Sequence, residues 1–234
     1  MTLATAMLFL IPGARLACSC ARTWWRNLYV TGQTCGTRYA GKVAVWRGQS
    51  REVISLALKS LGFSANEESP AALAAVEAHL LQLRPHMLFV EDYDLVTAAA
   101  PLADGIIVLA MGYSRDVIES RQRNTAIDYV LPEEGALLWG DNFVIPAASR
   151  HPREAADLIN YLISGEVSAR LIERNYYAAP NEAAIQLLDP ALAHDPVLYP
   201  AQEIMQNTEI IMPLSPEGEQ RYARVWEAFL NSGK

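Results

Sequence analysis

The sequence predicts an α/β protein in which helices cover a mainly parallel sheet. Two features predict this class. Between residues 42 and 131, short β-rich runs alternate with helical patterns, as they do in consecutive strand–helix–strand units. The 234 residues are also 51% hydrophobic, which is enough for a sizeable buried core. The sequence contains no fixed-period repeat and no low-complexity tract that would indicate another architecture.

The first strand and helices are predicted from apolar runs and helix-start residues. Residues 43–46 are apolar and predict a short buried strand. A helical apolar repeat follows over residues 50–62, where a glycine stops it. Ser69 and Pro70 then open a helix over residues 71–83, because an N-cap residue followed by proline is a typical helix start.

The next elements follow the same rules. Residues 87–90 and 105–111 are apolar runs typical of buried strands, and the second is the stronger pattern. A short Ala-rich helix is predicted between them, over residues 95–102. A further helix over residues 115–123 leads to the alternating, β-rich run at 127–131, which a proline ends.

The remainder of the chain is predicted to be mainly helical. The predicted helices cover residues 152–162, 167–172, 182–188, 200–205 and 216–230. The last of them carries Tyr222, Val225, Trp226 and Phe229 on one stripe. We expect this stripe to pack in a core or against a neighbouring lobe.

Composition narrows the possible functions. The formal net charge of −7 argues against non-specific nucleic-acid binding and suits a protein that receives cations. The three cysteines, Cys18, Cys20 and Cys35, lack the spacing of a zinc site. The sequence also lacks a Walker loop, a metal-ligand helix and a nucleophile–base motif. We therefore predict neither an enzyme nor a metal or cofactor.

The N-terminal segment has two interpretations. Residues 3–11 form an apolar run that is short enough for the hydrophobic region of a signal peptide and too short to span a membrane. A signal peptide would require a Lys or Arg before this run, and none is present. Residues 1–40 are therefore either a leader or an atypical junction.

Trp139 and Asp141 flank a glycine and form the first candidate site. If the backbone is extended there, the two side chains lie on one face. A carboxylate beside an indole can hold an ammonium group, because the charges pair and the ring face attracts the cation. The alternative is a Trp packed in the core and an Asp that caps a turn.

A second candidate site follows the first predicted strand. Gln49 and Glu52 lie at the strand-to-helix turn, and the carboxyl ends of strands are where α/β sheets bind ligands. The alternative is structural, with Ser50 as the N-cap and Glu52 as a favourable charge in the first helical turn.

Four stretches of the sequence carry a resemblance to a known family. They read GKVAVWRGQSREVISLALKSLGFSAN at 41–66, LADGIIVLAMGYSRD at 102–116, LPEEGALLWGDNFVIPAASRHPREAADLINYLIS at 131–164 and NYYAAPNEAA at 175–184. Together and in this order, they resemble the second half of the spermidine/putrescine-type solute-binding proteins of bacterial ABC transporters. No single stretch is a diagnostic motif.

The resemblance implies a periplasmic-binding-protein type II-like fold, in which two α/β lobes with mainly parallel sheets close on a linear polyamine. Acidic residues hold the amines in that family, and aromatic residues line the methylene path. Carried over position by position, the ligand contacts fall on Glu52, Tyr113, Trp139, Asp141 and Tyr177. Gln49 stands where the family has a further carboxylate, and Arg47 lies close by in sequence, so the substrate stays open.

The resemblance also implies a division into lobes, with the first lobe largely missing. Residues 41–135 and 190–234 would form the second ligand-binding lobe, and residues 136–189 a remnant of the first. Such a chain would expose apolar surface that a complete two-lobed protein buries. We therefore expect instability or association.

The resemblance implies the substrate-binding component of a polyamine ABC transport system, which captures putrescine or spermidine by lobe closure. The expected partners are a polyamine or related small cation and the permease subunits of the transporter. Nucleic acid is not expected, and the membrane is contacted only through the transporter. The implied location is periplasmic. Two alternatives stay open, namely a cytoplasmic effector-sensing module of the same fold and a fragment without function.

Overall fold

The computed structural model describes residues 4–5, 7–10, 43–91, 109–123, 125, 128–132, 134–203 and 205–232. The strands are β1 (Ala4–Thr5), β2 (Met7–Leu10), β3 (Val43–Trp46), β4 (Met87–Val90), β5 (Leu109–Gly112), β6 (Asp128–Val130), β7 (Leu137–Trp139) and β8 (Glu209–Ile210). The helices are α1 (Ser50–Ser60), α2 (Pro70–Leu83), α3 (Ser114–Arg123), α4 (Pro152–Leu162), α5 (Gly165–Asn175), α6 (Glu182–Ile185), α7 (Pro190–Ala193) and α8 (Pro216–Asn231). A 3-10 turn at Arg84–His86 joins α2 to β4.

The larger of two sheets has five strands in the order β4, β3, β5, β2, β6. β3 runs parallel to both β4 and β5, as the strand–helix alternation predicts. β2 runs antiparallel to β5 and β6. The smaller sheet has the order β1, β7, β8, with β7 and β8 parallel. The antiparallel pairings among the described strands all involve residues 4–10.

The N-terminal apolar run therefore contributes strands in this structure. β1 and β2 lie within the run that the sequence offers as either a leader or a junction. These two strands could not be placed in the sheets from the sequence, because their partners lie more than a hundred residues further along the chain.

Most predicted helix boundaries are confirmed. α1 begins at Ser50, so Gln49 and not Ser50 occupies the N-cap position, and the chain turns at Gly62, whose φ is +81°. The Ala72 backbone N–H donates to the Ser69 side-chain oxygen, so Ser69 caps α2 as predicted. No helix among the described residues combines the length and apolarity needed to cross a bilayer.

The main hydrophobic core lies between the larger sheet and helices α1, α2 and α8. Its largest fully buried side chains are Trp46, Phe229, Ile54, Leu58, Leu80 and Leu83. The Trp46 indole N–H donates to the Met111 carbonyl at 2.8 Å and joins β3 to β5. Trp226 on α8 is buried and donates its indole N–H to the Arg47 carbonyl at 3.2 Å. The predicted burial of the last helix's stripe is therefore confirmed.

A separate apolar cluster holds α5, α6 and the segment that follows them. Its buried members are Ala169, Ile172, Ala178, Ala184, Leu188 and Leu198. The predicted helix over residues 200–205 is wrong, since the residues described there form turns. Helix α7 was not predicted from the sequence. Asp189 caps it by accepting a 2.8 Å hydrogen bond from the Ala191 N–H. The predicted helix over residues 95–102 lies outside the described residues.

Helix α4 has an exposed apolar face. None of its residues is buried, although its sequence is amphipathic. Leu158 and Tyr161 are 57% and 59% exposed, and Ile163 immediately after the helix is 53% exposed. We call these three residues the α4 face. Exposed apolar surface of this kind is expected from the sequence. The division into lobes stays a prediction.

Candidate functional site

The carboxyl ends of β3 and β5 lie side by side, because the two strands are adjacent and parallel. The turn after β3 carries Gln49, and the residue after β5 is Tyr113. The Gln49 Nε2 amide donates a hydrogen bond to the Tyr113 hydroxyl oxygen at 3.0 Å. The structure thus brings two predicted site residues together at the sheet edge where ligands bind in open α/β sheets.

Glu52 lies in the first turn of α1, one turn after Gln49. Burial raises the pKa of its carboxyl, while a backbone hydrogen bond and the charge of Arg51 act in the opposite direction. The Arg51 guanidinium is engaged elsewhere, with the Tyr222 hydroxyl at 3.0 Å and the Asn66 side chain at 2.8 Å. A cation bound beside Glu52 would therefore offset the desolvation of its carboxylate.

Tyr113 is fixed by a reciprocal pair of hydrogen bonds at the start of α3. Its backbone N–H donates to the Asp116 carboxylate at 2.7 Å, and the Asp116 N–H donates to the Tyr113 carbonyl at 3.0 Å. This is the arrangement of a helix-start residue bound by the side chain three positions later. The Asp116 residue is fully buried. Asp116 was not predicted from the sequence, although an acidic residue three positions after a strand-to-helix turn is a readable indication.

The Tyr113 hydroxyl has a polar and partly acidic environment. Burial raises the pKa of this phenol well above its ordinary value, and Glu52, Asp116 and Tyr177 add to the shift. The hydrogen bond from Gln49 acts in the opposite direction. Tyr113 therefore stays a neutral phenol at physiological pH, able to donate or accept a hydrogen bond. Glu52 and Tyr177 are thus near enough to act electrostatically on the Tyr113 phenol.

Tyr177 reaches the cluster from the loop after α5. The helix ends at Asn175, and its C-cap residue Tyr176 has a left-handed φ of +54° and donates its backbone N–H to the Ile172 carbonyl at 2.8 Å. This turn redirects the chain and leaves Tyr177 half-buried. Burial raises the pKa of the Tyr177 phenol, whereas the nearby Arg115 guanidinium lowers it. The Arg115 guanidinium carbon lies 5.6 Å from the ring centroid.

Arg47 is held by a surface ion pair and an aromatic contact. Its Nε lies 2.8 Å from a Glu91 carboxylate oxygen, and its guanidinium lies 5.3 Å from the Phe89 ring centroid. The Arg47 charge is therefore partly compensated by Glu91.

Trp139 and Asp141 are placed differently from the other predicted residues. Trp139 ends β7 with an extended backbone paired to Ala4, but its side chain lies outside what the structure describes. Asp141 is exposed, and within the described part of the chain its carboxylate has no hydrogen bond or ion pair. The structure thus brings together Gln49, Glu52, Tyr113 and Tyr177, and it does not bring Asp141 into contact with them.

A model of the family described as bacterial extracellular solute-binding protein matches residues 25–200. The chain belongs to this family. It is a family of solute-binding proteins and not of enzymes.

Two curated members of the solute-binding family show how much of a relative this chain spans. The spermidine/putrescine-binding periplasmic protein of Escherichia coli K12 is 36% identical over 160 residues, which are 68% of this chain and 45% of that protein. The putrescine-binding periplasmic protein SpuD of Pseudomonas aeruginosa is 28% identical over 189 residues, which are 78% of this chain and 50% of that protein. The chain therefore spans about half the length of these relatives.

A solved structure identifies the fold of this family member. The spermidine/putrescine ABC transporter substrate-binding protein PotD of Streptococcus pneumoniae matches with a TM-score of 0.81 at 23% identity. The match covers 100% of this chain and 68% of that chain. The predicted periplasmic-binding-protein type II-like α/β fold is thereby confirmed.

Proposed function

We propose that this chain acts as the substrate-binding component of a polyamine ABC transport system, with putrescine or spermidine as its ligand. The observation that carries the proposal is the cluster of Gln49, Glu52, Tyr113 and Tyr177. One carboxylate and two phenol rings suit ammonium groups joined by methylenes. The two curated relatives are named for binding polyamines, which supports the same ligand class.

Each residue of the cluster has a distinct task in this proposal. An ammonium group pairs with Glu52, and the rings of Tyr113 and Tyr177 contact the methylenes. The Gln49 Nε2 is engaged with Tyr113, so its Oε1 is the atom that accepts a hydrogen bond from an ammonium group. A neutral amide binds an ammonium group less strongly than a carboxylate does.

Trp139 and Asp141 complete the proposed set of ligand contacts. β7 ends at Trp139 with an extended backbone, and a shared face for the two side chains is part of the proposal. The exposure of Asp141 leaves its carboxylate accessible to a ligand.

The proposed capture step is closure of two lobes about the ligand. Residues 41–135 and 190–234 would form one lobe, and residues 136–189 part of the other. Five of the six buried members of the apolar cluster around α5 and α6 lie within residues 136–189, which supports this division, and the sixth, Leu198, lies past the proposed boundary at 190. Leu137 packs in the main core, which supports a junction between the two proposed parts close to β7. The relatives are periplasmic proteins by name, which supports a location outside the cytoplasmic membrane. Delivery of the ligand to permease subunits there is part of the proposal.

The first test is a calorimetric titration of the chain with putrescine, with spermidine and with butanediol, a neutral analogue of putrescine. We expect saturable binding of the polyamines only, because the diol cannot pair with Glu52. Heats that do not saturate for either polyamine would contradict the proposed function.

The second test removes the acidic group of the cluster. Glu52→Gln should weaken polyamine binding by about 10- to 100-fold, since it removes a charge-assisted hydrogen bond. Glu166→Gln is the matched control, because Glu166 is also a first-turn glutamate of a helix but is exposed. The control should change affinity by less than about twofold. Equal effects of the two substitutions would exclude Glu52 as a ligand contact.

A further inference from the structure

Arg115 lies next to the candidate site without belonging to the predicted set of ligand contacts. It is in the first turn of α3, between Tyr113 and the buried Asp116. Its Nε and Nη2 both donate to one carboxylate oxygen of Glu119, each at 3.1 Å. Its guanidinium carbon lies 5.6 Å from the centroid of the Tyr177 ring, within the range of a cation–π contact.

This arrangement ties a loop residue to a helix. Tyr177 follows the left-handed residue Tyr176 and has no regular secondary structure of its own. A second contact joins the same two parts of the chain, because the Gln122 side chain of α3 donates to the Tyr176 hydroxyl at 2.9 Å. Helix α3 therefore holds the loop after α5 at two consecutive residues.

The ion pair with Glu119 makes Arg115 suitable for this role. Two hydrogen bonds to one carboxylate restrict the guanidinium, so less rotamer entropy is lost when it also contacts the ring. Glu119 also compensates the positive charge, which reduces the repulsion that a cationic ligand would meet nearby.

We propose that Arg115 is a positioning residue, which fixes the ring of Tyr177 beside Tyr113 and so shapes the aromatic wall of the polyamine site. Arg115 acts through Tyr177 and does not contact the ligand. The part of this inference that concerns affinity rests on the proposed function, whereas the part that concerns the ring does not.

Substitution of Arg115 should weaken binding without unfolding the protein. Arg115→Met keeps the length of the side chain but removes its charge and its hydrogen bonds, and we expect about tenfold weaker polyamine binding. Arg115→Lys keeps a cation near the ring and should recover part of the loss. Arg170→Met is the control, because Arg170 is an exposed helical arginine on α5. It should change affinity by less than about twofold.

A double substitution tests whether Arg115 acts through Tyr177. Tyr177→Leu should weaken binding by itself, and adding Arg115→Met should then cause little further loss, because the ring that Arg115 positions is gone. If Arg115→Met still weakens binding about tenfold in the Tyr177→Leu background, the inference is overturned.

Nuclear magnetic resonance of the ligand-free protein separates this inference from the proposed function. The Tyr177 ring resonances are assigned by their loss in Tyr177→Phe, and we expect them to shift and broaden in Arg115→Met but not in Arg170→Met. Unchanged Tyr177 resonances in Arg115→Met would overturn the positioning role. If the unmodified chain binds no polyamine, the proposed function fails, and the ring resonances still decide the role of Arg115.

Discussion

At the scale of single residues, the backbone of Gly135 lies directly against the carbonyl group of Asn207. A Cβ atom at this position would overlap that carbonyl and would lie 2.7 Å from the Lys59 Cε. Gly135 also has a φ of +99°, which residues with a Cβ adopt only at a cost. The sequence indicates a permissive position here because Gly135 separates two apolar runs, but the close approach to Asn207 is visible only in the structure.

Gly135→Ala should therefore lower the free energy of unfolding by about 3 kcal/mol, from backbone strain and overlap together. Substitutions at two other glycines separate the effect of backbone strain from that of steric overlap. Gly62 has a φ of +81° but no atom within 4 Å of a built Cβ, so Gly62→Ala should cost only about 1 kcal/mol. Gly48 has neither a positive φ nor a close neighbour, and Gly48→Ala should be close to neutral. Urea unfolding of the three variants provides the comparison, and a Gly135→Ala loss no larger than that of Gly62→Ala would show that the overlap is relieved.

At the scale of elements, α2 and α4 show how differently the apolar side chains of two helices can be packed. Leu80 on α2 is fully buried in the main core, whereas Leu158 on α4 is 57% exposed. The same substitution in the two helices therefore measures burial directly.

Leu80→Ala should destabilise the protein by about 2–5 kcal/mol, because it removes transfer free energy and leaves a cavity. Leu158→Ala should change stability by less than about 0.5 kcal/mol, as expected for an exposed side chain. Chemical unfolding at low protein concentration gives both values. Similar losses in both variants would mean that the α4 face is covered in solution, and a repeat at higher concentration would show whether a second copy covers it.

Helices and strands were predictable where the residues that determine them lie next to them in the sequence. β3 and the helices α1 and α2 follow from an apolar run, a glycine stop and a Ser-Pro start, all of which lie within a few residues of the element they define. Helix α7 was missed because it is only one turn long, and the turns at 200–205 were mistaken for a helix because a short apolar repeat does not distinguish the two.

The candidate site was predictable in part. Gln49 and Tyr113 could be expected to meet, because parallel neighbouring strands end at one sheet edge. The contact between Arg115 and Tyr177 could not be expected, since it depends on how the loop after α5 packs on α3. The pairing of β2 with β5 and β6 could not be predicted either, because it also depends on how parts of the chain that are distant in sequence pack together.

At the scale of the whole molecule, a polar contact joins α1 to the chain around β8. Lys59 is buried and lies 2.6 Å from a Glu209 carboxylate oxygen. The other carboxylate oxygen accepts from the Ser64 hydroxyl at 2.6 Å and from the Ala65 N–H at 3.1 Å. Burial acts to raise the pKa of Glu209, but the hydrogen bonds from Lys59 and Ser64 outweigh it and hold this pKa below its ordinary value.

Glu209→Gln should lower the free energy of unfolding by about 2 kcal/mol near neutral pH, because it leaves the buried Lys59 ammonium without its counter-charge. The pKa of Glu209 is lower in the folded than in the unfolded protein. The stabilisation that its charge provides is therefore complete above the unfolded-state pKa and is lost as the pH falls through the folded-state pKa. The difference in free energy of unfolding between the unmodified chain and Glu209→Gln should therefore become smaller at acid pH. Urea unfolding across a pH series measures it, with the exposed Glu203 as Glu203→Gln control. A difference that stays constant down to acid pH would show that the charge of Glu209 is not its cause.

The two buried indoles described above provide an optical probe of the candidate site. Trp46 and Trp226 donate their N–H groups to the carbonyls of Met111 and Arg47, so both fluorophores are anchored where β3 and β5 end. Gln49 and Tyr113 follow within two residues of Arg47 and Met111. Ligand capture at that edge should therefore alter the tryptophan emission of an unlabelled sample, and Trp46→Phe and Trp226→Phe would separate the signal of the two anchored indoles from that of Trp139, a proposed ligand contact.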